Sequence, residues 1–349
     1  MKLNTSFGKF KRLHKNKKNQ IIFYSQSCKD YSFVENLYKF ILMKKNSFIF
    51  ESVEKGVVRG RYTIIGFNPD RIYDIKKNRI IVDDFKKKKL IKRDILKFLN
   101  ELLENFKVES SSNLPRMSSM LVGYFSYDII RLIEKIPDKC KNDIDIPDIR
   151  LIRPKNLIIY DNLKKTIFFI QNIFQEENIV DYNIKYNSIK KNFKEFQYFG
   201  NINLPENFHI SKRKIKVRSN ISKSKFKKNV LKAKEYIKKG DIFQVVLSQR
   251  FESPIDKPPI EIYNTLRVLN PSPFMFYFNF DDFQILGSSP EILVRLVNGE
   301  VTVRPIAGTR PRGINKKKDR KLTKELLKDP KELAEHLMLL DLGRNDVGK

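Results

Sequence analysis

The chain has no tryptophan, two cysteines and three histidines among its 349 residues. Cys28 and Cys140 cannot build a disulfide framework or a four-cysteine zinc site, and a reducing compartment is the simpler setting. His14, His209 and His336 lie far apart in sequence, which argues against a histidine-rich metal centre. No apolar run approaches the roughly 18 residues that a membrane helix requires. The basic N-terminus lacks the apolar stretch of a secretory signal. The expected setting is therefore the cytoplasm, without membrane contact. GxxxxGK[ST] loops, GxSxG elbows and HExxH helices are missing as well. Acidic residues are the last shortage: 40 Asp plus Glu against 70 Lys plus Arg, a net charge of +30. Such a balance can be a footprint for a polyanion. Here lysine dominates the basic set and runs through the whole chain, with no RRM, KH, zinc-finger or helix-turn-helix pattern. No specific nucleic-acid partner is expected, and the dense runs at 85–93 and 211–218 read as solvated faces or linkers.

What is present is enough for a packed core: 41% hydrophobic and 12% aromatic residues. At about 150 residues per domain the length suggests roughly two domains. Residues 1–20 read as a basic polar arm. Residues 21–200 alternate short apolar strands (47–53, 61–67, 156–161) with helical segments such as 92–106. Residues 201–221 read as a linker, and 222–349 as a second, better patterned region. There, Phe226, Val230, Ala233 and Ile237 recur at helical spacing before Gly240. Residues 241–251 read as a strand. Asp281–Asp282 and Asn298–Gly299 each sit between β-rich runs, the second being a strong hairpin signal. Asp329-Pro330-Lys331-Glu332 opens a helix with Asp as N-cap and Glu at N3. The expected fold class is α+β, with mostly antiparallel sheets and helices packed outside them.

Three segments can carry chemistry. In GSSPE (287–291), Glu291 follows a turn at a strand end. It could be a general acid if burial raises its pKa, or simply a loop carboxylate facing solvent. In RPIAGTRPRG (304–313), a strand ending at Ala307-Gly308-Thr309 offers backbone N–H groups and a hydroxyl, with Arg310 and Arg312 behind them. That suits a carboxylate-bearing ligand, the alternative being a basic turn. In 331–346, Glu332 and Glu335 share one helical face and could hold a hard cation such as Mg2+. Glu332 is also the expected capping residue, which leaves Glu335 as the better ligand candidate.

Six stretches in this order resemble the chorismate-utilising enzymes, and within them the anthranilate synthase component I branch. They are residues 50–69, GDIFQVVLSQRF (240–251), NPSPFMFYF (270–278), ILGSSPEILVR (285–295), VTVRPIAGTRPRG (301–313) and AEHLMLLDLGRND (334–346). The resemblance implies the fold of that family. It also implies conversion of chorismate and ammonia to anthranilate and pyruvate, the first step from chorismate to tryptophan. Ammonia attacks C2, the C4 hydroxyl leaves with help from an acid, and pyruvate is eliminated. Ammonia would come from a glutamine amidotransferase subunit, anthranilate synthase component II, in a heterotetramer. By resemblance Glu335 is a Mg2+ ligand, Glu332 a supporting carboxylate and Glu291 the general acid. Gly308 and Thr309 contact chorismate. Gln244 stands where isochorismate-forming relatives carry a lysine base, and Ala307 where aminodeoxychorismate synthases often carry a nucleophilic lysine. Both substitutions point to anthranilate.

The resemblance further implies feedback inhibition by tryptophan, held by Glu51 and Ser52 together with Pro273, Phe274 and Met275. Core packing between the two halves is the alternative reading of those residues. Family members continue well past the position of Lys349 with further metal and substrate ligands. The expectation is therefore that residues 1–349 alone do not form anthranilate. Two rival readings stay open: a truncated remnant that keeps only tryptophan or partner binding, and a sibling aminodeoxychorismate synthase component I.

Overall fold

The computed structural model describes residues 1–54, 58–106, 108, 113–202 and 216–348. It divides into two units, Met1–Leu204 with Tyr263–Lys349, and Pro205–Ile262. This differs from the expected split at 201–221 with one region beyond it. The chain leaves the first unit after 204 and rejoins it at 263, because the aromatic run 274–278 completes a sheet begun by the first half. Most of the expected linker, 203–215, lies outside the described residues.

The first unit opens with α1 (Phe7–Lys15), whose N-cap Ser6 accepts the Lys9 N–H. The expected polar arm is thus a docked helix. Phe10 is fully buried and stacks on Tyr186, with a centroid distance of 5.7 Å. Phe7 meets the same ring edge-on at 5.7 Å, so two aromatics dock a lysine-rich helix when a partner supplies a ring to cover them. There follow β1 (Gln20–Ser27), α2 (Ser32–Ile41), β2 (Ser47–Glu54), β3 (Val58–Lys76), β4 (Arg79–Asp83), β5 (Lys88–Ile91), α3 (Ile95–Asn105), β6 (Val122–Phe125), β7 (Ile149–Asp161), β8 (Thr166–Ile173) and α4 (Tyr182–Gly200).

The second unit holds β9 (Arg218–Ser219), α5 (Lys223–Lys239) and β10 (Phe251–Glu252). Ser222 caps α5, and Gly240 ends it at φ 79°, a left-handed conformation that glycine adopts without strain. The strand expected at 241–251 forms only at its last residue, where Phe251 pairs with Ser219. A strand needs a neighbour to take its N–H and C=O groups, and among the described residues 241–250 have none in a ladder.

The boundary between the units falls within α6 (Pro259–Leu269). Beyond it come β11 (Phe274–Asn279), β12 (Gln284–Ser289), β13 (Arg295–Val297), β14 (Glu300–Thr302), α7 (Lys316–Lys328) and α8 (Pro330–Gly348). Both expected hairpins are present. Asp281 (φ 72°) turns β11 into β12, and Asn298 (φ 54°) with Gly299 (φ 82°) turns β13 into β14.

Among the described residues, antiparallel pairing joins ten strands of the first unit in one sheet. Its main path runs β1-β8-β7-β3-β2-β11-β12, with β4 and β6 attached to β3 and β7, and β5 to β4. The fold class is therefore α+β with a mostly antiparallel sheet, as the sequence suggests. Phe48, Ile152, Leu157, Ile159 and Ile170 are fully buried at its centre. Strand β7 is buried nearly throughout, although it carries two arginines. Arg150 pairs with Asp74 at 2.7 Å and Arg153 with Asp70 at 2.6 Å, so neither cation is left alone in a low-dielectric layer.

At the end of β7, buried Asp161 accepts the N–H groups of Leu163 and Lys164 at 3.0 and 3.1 Å and pairs with Arg61 at 3.1 Å. Burial raises its pKa, but Arg61 and the two N–H donors outweigh burial and hold it below the usual carboxylate value. A carboxylate whose pKa is lower in the folded than in the unfolded chain stabilises at neutral pH. That contribution fades as pH falls through the lowered value. Asp161→Asn should therefore lose less stability than the parent chain between about pH 6 and about pH 3, read from urea midpoints. Equal losses in the two proteins would refute this.

Candidate active site

Strand β12 delivers Ser289 and then Pro290 to a turn, in which the Glu291 N–H donates to Ser289 Oγ at 3.4 Å. The turn aims the Glu291 carboxylate at the chain leaving β14, where it accepts the Ile306 N–H at 2.9 Å. Glu291 is exposed, so the burial that a general acid would need is not provided by the described residues.

The strand expected to end at Ala307–Thr309 stops at Thr302, and 303–313 has no regular structure. This segment instead lies along α8. Gly308 faces the Glu332 carboxylate so closely that a Cβ there would overlap it, and a Cβ on Gly343 would meet Val303 Cγ1 at 3.2 Å. Close approach of backbone to side chain is what glycine permits at 308. Thr309 stands exposed beside it.

Asp329 caps α8 by accepting the Lys331 and Glu332 N–H groups at 3.0 and 3.3 Å. Those N–H donors, with Arg310, hold its carboxyl below the usual range. The reciprocal half of a capping box is missing, because Glu332 turns to Arg310. Arg310 is bound by three carboxylates, Glu325 at 3.2 Å, Asp329 at 2.6 Å and Glu332 at 3.1 Å. Of the two readings open for this basic segment, Arg310 fits the structural one: it staples α7 and α8 to the segment 303–313. Arg312 pairs with Asp319.

One turn along α8 from Glu332, Glu335 is half-buried, with no hydrogen bond or ion pair among the described residues. The donor set here is hard oxygen, which suits Mg2+. Among the described residues no three His, Cys, Asp or Glu side chains form a group able to hold a metal. Two carboxylates with water and substrate oxygens match the sparse protein coordination that Mg2+ tolerates. Since Arg310 already engages Glu332, Glu335 is the freer of the two carboxylates.

Glu291, Gly308 and Glu332 thus meet on one stretch of chain, with Thr309 beside them and Glu335 a turn further along α8. Gln244 belongs to the other unit, where it is exposed and outside any strand.

The residues proposed for an inhibitor also come together. Glu51 and Met275 are register partners on β2 and β11. Ser52 occupies the irregularity between Glu51 and Val53, packed so tightly on Gly60 that a Cβ there would collide. Bulges of this kind re-aim a side chain. Met275 is buried, while Pro273 and Phe274 are exposed. Beneath them Glu51, 1% exposed, accepts Tyr263 Oη–H at 2.7 Å and pairs with Arg267 at 3.0 Å. Burial pushes the Tyr263 phenol well above its ordinary pKa. The other oxygen of Glu51 is buried without a partner. Sequence reasoning missed Tyr263 and Arg267. The available signal was a helix start at Pro258-Pro259, with Tyr263 and Arg267 four residues apart on one face.

Comparison with known proteins fits this arrangement. A family model described as chorismate binding enzyme matches residues 45–349. Anthranilate synthase component 1 of Acetivibrio thermocellus is 42% identical over 86% of this chain and 62% of its own length. That of Cereibacter sphaeroides is 38% identical over 99% of this chain and 70% of its own. The crystal structure of anthranilate synthase component I from Streptococcus pneumoniae TIGR4 superposes with a TM-score of 0.70 at 32% identity, covering 83% of this chain and 62% of that one. The Escherichia coli menaquinone-specific isochorismate synthase, at 14% identity and a TM-score of 0.54, shares the fold alone. The chain spans less than two thirds of the length of two of these relatives.

Proposed function

This chain belongs to the chorismate-binding enzyme family, and from that we propose that it carries the aminating part of an anthranilate synthase. Chorismate and ammonia become anthranilate, pyruvate and water. The observation that carries the reading is the double grip on 303–313: Ile306 held by Glu291 and Gly308 seated on Glu332. It places two acidic side chains and a glycine-opened backbone along a surface that a dicarboxylate could use. Glu335 and Glu332 would hold Mg2+, which, when bound, offsets the charge of a substrate carboxylate. Arg310 fixes the Glu332 carboxylate, so Glu335 keeps its own oxygens for the ligand. Glu291 would protonate the leaving hydroxyl once substrate covers it. Gly308 and Thr309 present N–H and hydroxyl groups to the ring's substituents.

Partners are part of the same proposal. A glutamine amidotransferase subunit supplies ammonia in the cytoplasm, and tryptophan inhibits by occupying the Glu51–Ser52 and 273–275 cluster. Among the described residues no helix is long and apolar enough to cross a membrane.

The test is anthranilate fluorescence with chorismate, Mg2+ and ammonium. It is run on this chain alone and on this chain continued by the remaining C-terminal segment of the Acetivibrio thermocellus relative. The extended protein should form anthranilate, and the chain alone should not. A folded extended protein that makes no anthranilate, or that makes isochorismate or aminodeoxychorismate instead, overturns the assignment.

A further inference from the structure

Away from Glu291, Gly308 and the α8 carboxylates, the first unit holds a cleft of about 270 Å3 between α3 and the β3–β4–β5 part of the sheet. Its charges do not balance. Glu101 pairs with Arg93, and Glu176 with Arg153 at 3.4 Å, so both lining carboxylates are taken. Arg71 and Lys89 line the same cleft with no ion pair among the described residues. At the wall, Tyr73 is 2% exposed; its hydroxyl lies beside the Arg71 guanidinium but makes no hydrogen bond of ordinary geometry. A buried, unpaired hydroxyl costs free energy unless something else satisfies it. The remaining wall is apolar, formed in part by Ile91, Phe98 and Leu102.

Two cations with no ion pair, a buried hydroxyl short of a well-formed hydrogen bond and an apolar side describe a recognition site rather than a packing defect. We propose that this cleft binds a small organic anion: one carboxylate or phosphate group on an apolar body about the size of a single ring. The head group would face Arg71 and Lys89 and take the Tyr73 O–H. The ring would lie on Phe98, Leu102 and Ile91. The volume falls just below the range of drug-sized pockets, which sets the size limit. Arginine suits the head because its planar fork matches carboxylate and phosphate oxygens alike. The residues proposed to hold the ligand all lie within 71–102, apart from the chorismate-site candidates, so the site stands or falls independently of the proposed reaction.

Calorimetry on the full 349-residue chain tests this, with benzoate, phenyl phosphate, inorganic phosphate and benzyl alcohol as probes. Benzoate or phenyl phosphate should bind one to one, and whichever binds more tightly identifies the head group. Benzyl alcohol, which lacks the charge, and inorganic phosphate, which lacks the ring, should bind far more weakly. Arg71→Gln should weaken binding about tenfold or more, and Tyr73→Phe several-fold, as expected for a charged and a neutral hydrogen bond. Circular dichroism checks each fold. Should Arg71→Gln misfold, exposed Lys89→Gln reads the same charge dependence. No binding of either anion at several millimolar, undiminished binding in the folded charge variant, or equal binding of benzyl alcohol would each overturn the site.

Discussion

Arg267→Met is expected to destabilise the first unit by about 3–5 kcal/mol, the usual result of removing one partner from a buried ion pair. The guanidinium is 13% exposed and sits 3.0 Å from Glu51 and 3.5 Å from Glu35. Without it, a carboxylate that is 1% exposed keeps only the Tyr263 hydroxyl, and its second oxygen already lacks a partner. The cost comes from stranding that charge, not from losing a strong attraction. It follows that Glu51→Gln combined with Arg267→Met should recover most of the loss, because no buried charge then remains. Urea titration reads both effects as shifts in midpoint at constant slope. A double variant as unstable as Arg267→Met alone would show that Arg267 matters through packing and not through Glu51. The pair ties α6 to β2 beneath Ser52, so the same variants should also weaken the proposed tryptophan inhibition, measured as a raised inhibitory concentration in the extended protein.

Features legible in the sequence were those decided within a few residues. Asn298-Gly299 makes its hairpin because both residues take positive φ. Asp329 caps α8 and Gly240 ends α5, because the cap partners lie four residues or fewer away. The candidate site was legible in part for the same reason: Glu291 follows the end of β12, and Glu332 and Glu335 fall on one helical face. Features decided at long range were misread. Residues 241–250 have strand composition, but composition supplies no partner strand. The role of Arg310 stays open in the sequence, because nothing local reveals that Glu325, Asp329 and Glu332 fold back around it. Phe10 sits among lysines, and its burial depends on Tyr186, far along the chain. Tyr263 and Arg267 acquire their role only when β11 pairs with β2 and carries α6 over Glu51.

Glu335→Gln should abolish most anthranilate formation by the extended protein, with kcat lowered on the order of 10^2–10^3, the scale of losing one preorganised electrostatic contact at a reacting charge. The substitution keeps the shape and removes the charge from a half-buried side chain with no partner among the described residues, so stability should change little. Glu332→Gln should behave differently. Its carboxylate is bound to Arg310, which also holds Asp329 and Glu325. Neutralising it loosens the staple between α8 and the segment bearing Gly308, so thermal stability and chorismate KM should both shift. The discriminating measurement is activity against Mg2+ concentration. Glu335→Gln should require markedly more Mg2+ for half-maximal rate, or show no rate at any concentration. Glu332→Gln should show the larger fall in melting temperature. An Mg2+ dependence unchanged in Glu335→Gln and shifted only in Glu332→Gln would reverse the two roles. Unchanged activity in both would remove α8 from the chemistry altogether.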